Sequence, residues 1–242
     1  ACGDGYTNFA AGEQCDPGGS TDTASCNMAV AADTARCQTS RCGDGYPNLK
    51  AGETCDDGNT SNTDDCLNTC VPNTCGDGFV DVTGANVEAC DDGNSVAGDG
   101  CTGCVVDPGY TCAGTAPSVC HTTCGDGIVA GNEACDLGSA HNSDTLTASG
   151  CSTSCAVNAG WTCTSAAGVS SCHTTCGDGI LAGTEVCDLG ANNGKPGVGC
   201  DATCHAVNGF TCTGNVCVAS SCGDGVVAGT EQCDLGSGAN GN

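Results

Sequence analysis

Cys75-Gly76-Asp77-Gly78, a short stretch from Phe79, then Glu88-Ala89-Cys90-Asp91-Asp92-Gly93-Asn94, Gly98-Asp99-Gly100-Cys101 and Gly109-Tyr110-Thr111-Cys112 form one copy of a unit that fills the chain. Its opening half, Cys-Gly-Asp-Gly followed by Glu-x-Cys-Asp-x-Gly, occurs six times, starting at Cys2, Cys42, Cys75, Cys124, Cys176 and Cys222. Successive copies begin 40, 33, 49, 52 and 46 residues apart. That period belongs to tandem arrays but is too irregular for a strict superhelix. The boundaries follow: residues 1–41, 42–74, 75–123, 124–175, 176–221 and a partial sixth copy at 222–242.

Composition says how such units must be held together. Aromatic residues are 3% of 242 positions and Gly accounts for 40, so an ordinary apolar core is not available. Twenty-eight cysteines replace it. They fall four, four, six, six, six and two to a repeat, so each repeat can close on itself, although six cysteines allow 15 pairings. At about 2 to 4 kcal/mol per bridge, half of the possible disulfides outweigh what seven scattered aromatics can bury. Such a cysteine load implies an oxidising compartment, hence an extracellular or cell-surface location.

The spacing from the first to the second cysteine is 13, 13, 15, 11, 11 and 11 residues, differing only in steps of two. A two-residue step keeps every side chain of a strand on its own face, which predicts a β-hairpin with these two cysteines bridged at its base. The residue after Cys-Gly-Asp-Gly is large and apolar (Tyr6, Tyr46, Phe79, Ile128, Ile180, Val226), and Gly131-Asn132, Gly183-Thr184 and Gly229-Thr230 mark turns. An irregular loop pinned by one bridge is the alternative. Behind it come turn-forming residues without helical periodicity. In repeats three to five, Tyr110, Trp161 and Phe210 each stand two residues before a cysteine and predict a miniature core. The expected fold is an elongated tandem array of small disulfide-rich repeats, with short β-hairpins, irregular loops and little or no helix.

These residues resemble the Myxococcus cysteine-rich repeat, a family of uncharacterised repeats in large secreted and surface proteins. The resemblance covers essentially the whole chain. It implies an array on a cell surface or in secreted material and brings no catalytic residues with it. Copies four to six depart from Cys-Asp-Asp-Gly-Asn by carrying Leu137, Leu189 and Leu235, and the first carries Pro17 there.

The acids are not scattered. All six glutamates, Glu13, Glu53, Glu88, Glu133, Glu185 and Glu231, stand two residues before the second cysteine of their repeat. Asp4, Asp44, Asp77, Asp126, Asp178 and Asp224 occupy the opening motif, and Asp16, Asp56, Asp91, Asp136, Asp188 and Asp234 follow the second cysteine. Three converging carboxylates per repeat need a cation or hydrogen-bond donors, since like charges raise one another's pKa. One reading is Ca²⁺ bound by these carboxylates with turn carbonyls and water, although no EF-hand spacing is present. The other is that Asp forms Asx-turns and Glu receives backbone N–H groups.

The net charge of −25, with only Arg36, Arg41, Lys50 and Lys195 as bases, argues against nucleic-acid or anionic-membrane partners. No run of about 18 apolar residues exists to span a bilayer. Ala1 begins almost on the first repeat without a signal-peptide pattern, as in a processed or truncated chain. Cys101-Thr102-Gly103-Cys104 has redox spacing without a βαβ context, His121 and His173 beside cysteines are weak zinc candidates, and Cys200 to His205 is a poor haem motif. Asn59-Thr60-Ser61 is a glycosylation sequon.

No catalytic constellation emerges. The expectation is a non-enzymatic extracellular structural protein, a stapled stalk or a fibre assembled by head-to-tail self-association, with Ca²⁺ as a stabiliser. The rival is an adhesin or receptor segment binding glycan or protein through the variable loops between the second and third cysteines.

Overall fold

A computed structural model describes residues 1–29, 36–220, 225–227, 232 and 234–235. The chain divides into two compact units, residues 1–121 and 122–242. Among the described residues the only regular structure is short antiparallel strand pairs and two single 3₁₀ turns, Phe9–Ala11 and Gly190–Asn192. Glycine explains this economy. It recurs every few residues at positive φ, as at Gly3 (94°) and Gly5 (85°), and so interrupts both helix and strand.

In the first unit β1 (Cys26–Asn27) pairs with β2 (Gln38–Thr39) and β3 (Cys101–Thr102) with β4 (Val105–Val106); β5 (Tyr110–Ala113) pairs with β6 (Val119–Thr122), which lies in that unit up to His121. In the second unit β7 (Trp161–Ala166) pairs with β8 (Val169–Thr174), and β9 (Phe210–Thr213) with β10 (Val216–Ala219). The three longer hairpins, β5–β6, β7–β8 and β9–β10, are the aromatic segments of repeats three to five. Tandem small domains with short hairpins, and no α-helix among the described residues, are therefore the architecture.

The disulfides correct the pairing read from the sequence. Thirteen are present among the described residues, and none joins a first cysteine to a second. The first pairs with the fourth, as in Cys2–Cys37, Cys42–Cys70, Cys75–Cys104, Cys124–Cys155 and Cys176–Cys204. The second pairs with the third, as in Cys15–Cys26, Cys55–Cys66, Cys90–Cys101, Cys135–Cys151 and Cys187–Cys200. The fifth and sixth close the aromatic hairpin on itself: Cys112–Cys120, Cys163–Cys172 and Cys212–Cys217. That each complete repeat closes on itself, as its even number of cysteines allows, agrees with this pattern. Cys222 and Cys233 lie outside the described residues.

The hairpin expected between first and second cysteines is also absent, and the loop alternative describes the segment. Its physical reason is the pair of left-handed glycines in Cys-Gly-Asp-Gly, which aim successive N–H groups to one side, whereas a strand sends them alternately to opposite sides. The turns at Gly131-Asn132 and Gly183-Thr184 are where the sequence put them, closed by Glu133 N–H to the Ala130 carbonyl and Glu185 N–H to that of Ala182, both at 3.1 Å. Gly229-Thr230 lies outside the described residues.

A shared hub organises each complete repeat. The fourth cysteine is left-handed in all five, with φ of 57°, 56°, 59°, 55° and 58° at Cys37, Cys70, Cys104, Cys155 and Cys204. Its carbonyl accepts the N–H of the residue before the second cysteine, at 2.8 Å for Gln14 and Thr54, 3.1 Å for Ala89 and 3.0 Å for Ala134 and Val186. This contact stacks the two nested bridges. The buried interior is accordingly mostly cystine, joined in the first repeat by Met28, whose Sδ lies 3.5 and 3.4 Å from the sulfurs of Cys26 and Cys37.

The miniature cores form as expected. A Cβ placed on Gly150 would lie 2.5 Å from the Cβ of Cys172 and 2.8 Å from the ring of Trp161. Gly100 lies in the same way against Tyr110 and Cys120, and Gly199 against Phe210 and Cys217. Each aromatic thus packs on its hairpin's own disulfide over a glycine, which lets the main chain approach a ring it could not otherwise reach.

Candidate functional site

In each of the first five repeats the recurring acids build one clasp. In the first repeat the Asp16 carboxylate accepts four backbone N–H groups: Gly3 at 2.8 Å, Asp4 at 3.1 Å, Gly5 at 3.3 Å and Gly18 at 2.8 Å. The second repeat repeats this on Asp56, with Gly43, Asp44, Gly45 and Gly58 at 2.9, 3.2, 2.8 and 2.9 Å. In the third, Asp91 receives Gly76, Asp77, Gly78 and Gly93 at 2.7, 3.1, 3.0 and 2.7 Å. The Cys-Gly-Asp-Gly turn is thus an anion-binding nest whose anion is the protein's own aspartate. Asp91, Asp136 and Asp188 are fully buried by it.

The other two acids have their own donors. Each opening aspartate closes an Asx-turn by accepting the N–H two residues on: Asp4 from Tyr6, Asp44 from Tyr46, Asp77 from Phe79, Asp126 from Ile128 and Asp178 from Ile180, at 2.8 to 3.0 Å. Each glutamate accepts the N–H of the residue six after the first cysteine: Glu13 from Asn8 at 2.7 Å, Glu53 from Asn48 at 2.7 Å, Glu88 from Asp81 at 3.1 Å, Glu133 from Ala130 at 3.2 Å and Glu185 from Ala182 at 3.0 Å. These pairs span 5, 5, 7, 3 and 3 residues. The variable spacing seen in the sequence is therefore the length of the loop this bond closes, while the nest and the cysteine stay fixed.

Convergence on a bridge holds in part. Glu133 and Asp136 gather with the sulfurs of Cys124 and Cys155 so that one atom from each lies within 4.8 Å of the others, and Glu185 and Asp188 do so with Cys204. The bridge concerned joins first to fourth cysteine, and the opening aspartates stand apart from these groups. Because the sulfurs are spent in disulfides, they offer no thiolate to zinc, and Cys101 and Cys104 are bonded to Cys90 and Cys75 rather than to each other. Asp224 and Glu231 lie outside the described residues, and Asp234 is half-buried.

Two supporting sets escaped the sequence reading. In repeats four and five, where Leu137 and Leu189 replace the second Asp, the amides of Asn142 and Asn193 donate to Asp136 and Asp188 at 3.1 and 3.0 Å, and their carbonyl oxygens accept the N–H of those leucines at 2.9 and 2.7 Å. The aromatic hairpin also reaches back to the clasp. Ser118, Ser170 and Asn215 accept the main-chain N–H of Asp91, Asp136 and Asp188 at 3.2, 2.8 and 3.1 Å. The signal available was a Ser or Asn beside the sixth cysteine, too common in loops to single out.

Electrostatics follow from these donors. Burial pushes the Asp136 carboxyl upward, but N–H groups of Gly138 and Gly125 and the Asn142 amide together hold it below the usual carboxylate range. Asp188 behaves alike, burial being overcome by Gly190, Gly177 and Asn193. Asp16 is lowered too, desolvation yielding to Gly18, Gly3, Gly5 and Asp4. A cation at these oxygens would face the positive ends of the same N–H dipoles.

No curated protein and no solved structure matches this chain. The family described as a domain of unknown function, DUF4215, matches at residues 67–105, 107–156 and 201–239, together just over half of the chain. The matched stretches carry the nested bridges and the clasp of the third and fourth repeats, and the chain belongs to the DUF4215 family of cysteine-rich repeats.

Proposed function

We propose that this is a non-catalytic extracellular structural protein in which each repeat is a rigid unit, stapled by nested disulfides and locked by its own carboxylate. The observation that supports this best is that the fixed acids are occupied with backbone N–H groups of their own repeat, in the same arrangement five times over. Residues held for catalysis or exchangeable ligands keep free valences. The nest aspartates spend theirs on fixing turns. Of the two roles expected for the recurring acids, Ca²⁺ ligation and capture of backbone N–H groups, the geometry in the first five repeats favours the second. The disulfide load favours an oxidising, extracellular setting, and no helix among the described residues is long and apolar enough to cross a membrane.

Association of copies head to tail into a filament is the finer form of this reading. Sedimentation and negative-stain microscopy of the oxidised protein over a wide concentration range test it: growing linear assemblies support it, and monomers at every concentration dismiss it.

An adhesin reading draws on a cleft of about 440 Å³ in the first unit, lined by Gln14, Asn27, Gln38, Thr39, Arg41 and Asp44. Amides and one of the few cations suit a hydroxyl-rich or acidic glycan. Glycan-array binding that is lost with Arg41→Ala and kept with Lys195→Ala supports it, and no binding in the wild type removes it.

A further inference from the structure

The first unit contains two successive repeat junctions built on one plan, and they differ in charge. At the first, Asn48, six residues after its opening cysteine, is fully buried and donates its amide to the Thr23 carbonyl at 2.9 Å, the Asn27 Oδ1 at 2.8 Å and the Cys26 carbonyl at 3.5 Å. The neighbours preceding Cys26 are Ala24 and Ser25, both neutral. At the second junction the residue six after the opening cysteine is Asp81, and the residues preceding Cys66 are Asp64 and Asp65. The frame is the same: Ser40 N–H donates to the Ser25 carbonyl at 3.1 Å, and Asn73 N–H to the Asp65 carbonyl at 3.0 Å.

Three neutral positions have therefore become three acids, and the amide that donated has become a carboxylate that cannot. Asp81 is 0% exposed; its Oδ1 accepts the N–H of Thr83 at 3.0 Å, and its Oδ2 is buried with no donor. Asp64 Oδ1 and Asn73 Oδ1 at the same junction are likewise buried without a donor. Asp65 is fixed over Gly84 by the N–H of Ala85, which reaches its two oxygens at 2.9 and 3.2 Å, and the Asp64 Oδ2 is held by the Asn59 amide at 2.9 Å. The loop of this repeat is the longest of the five, and its Ala85 N–H reaches Asp65.

We propose that this junction binds a divalent cation, Ca²⁺ by its all-oxygen chemistry, with Asp81 and Asp65 as principal ligands and Asp64 and Asn73 supplying further oxygen. Burial first, and then the facing charges of Asp65 and Asp64, drive the Asp81 carboxyl above its ordinary range, and Glu88 beside it is raised by burial and by Asp91, Asp77 and Asp81. A cation supplies the positive charge that Asn48's amide hydrogens supply one repeat earlier. None of these ligands is among the clasp acids, and the inference stands independently of the assembly reading. The buried glutamate oxygens of repeats four and five, Glu133 Oε1 and Glu185 Oε1, also lack donors but belong to half-exposed residues and to clasps already described.

Calorimetric titration of the whole oxidised chain, stripped of metal and then given CaCl₂ at neutral pH, tests this against the variants Asp81→Asn and Asp65→Ser, which restore the residue types of the first junction. The expected result is Ca²⁺ binding and a raised melting temperature in the wild type, with affinity at least about tenfold weaker in either variant. The metal-free Asp81→Asn protein should also melt above the metal-free wild type, because its amide can donate as Asn48 does. Two outcomes overturn the proposal. One is Ca²⁺ binding equal in wild type and both variants, which moves the ion elsewhere. The other is no Ca²⁺ response in the wild type, neither heat on titration nor a raised melting temperature, which leaves the junction without a cation.

Discussion

The backbone N–H of Gly125 meets the Asp136 Oδ2 at 2.6 Å across eleven residues, and this bond fastens the start of a repeat to the residue following its second cysteine. No disulfide joins those two places directly. Removing the carboxylate leaves the N–H groups of Gly125 and Gly138 and the Asn142 amide without an acceptor in a buried setting. Asp136→Ala is expected to cost about 2 to 4 kcal/mol, by addition of several unsatisfied donors. Asp136→Asn should recover only part of that, since its NH₂ faces donors. Denaturant unfolding of the oxidised protein measures both.

The pH response separates the two kinds of acid. Asp136 and Asp188 are depressed in the fold, so the stability they contribute is complete above the unfolded carboxylate value of about 3.9 and is lost as pH falls through their lower folded values. Asp81 and Glu88 are raised, so their contribution is complete below their unfolded values and is lost as pH rises through the folded ones. Metal-free protein should therefore gain stability from pH 7 downward until the clasps begin to protonate below about pH 4. Asp81→Asn should flatten the first limb and Asp136→Asn the second, in thermal melts across that range.

The nested bridges are unequal. Cys75–Cys104 spans 29 residues and Cys112–Cys120 only 8. On the chain-entropy account, removing the first costs about 3.6 kcal/mol and the second about 2.6 kcal/mol. The paired Cys→Ser variants, compared by denaturant midpoint, should fall in that order. A non-reducing peptide map should recover first-with-fourth, second-with-third and fifth-with-sixth linkage in the third repeat.

Gly150→Ala tests the miniature core. The added methyl meets the Cys172 Cβ and the ring of Trp161, neither free to move because one is in a disulfide and the other is tied by its indole N–H to the Leu146 carbonyl at 2.7 Å. A loss of about 1 to 3 kcal/mol is expected from overpacking. Trp161 is the single tryptophan, so its emission maximum should shift to the red as the ring is displaced.

Sequence by itself settled the repeat count, the even number of cysteines in each repeat, the scarcity of helix and the three fixed places of the acids. These are visible because each is a local pattern: a period, a parity, or a residue type at a set distance from a cysteine. The turn at Gly131-Asn132 and the packing of Trp161 beside a cysteine were legible for the same reason. Steps of two between Cys2-type and Cys15-type cysteines were misleading, because a strand and a loop closed by one hydrogen bond both tolerate them. Only the tertiary structure decided that Cys2 joins Cys37, that Asp16 turns inward onto Gly3, Asp4 and Gly5, and that Asp81 falls on Asp65 of the repeat before it. Those choices depend on the left-handed glycines folding the opening motif into a nest. Once its N–H groups point to one side, the carboxylate that satisfies them fixes which cysteines can meet.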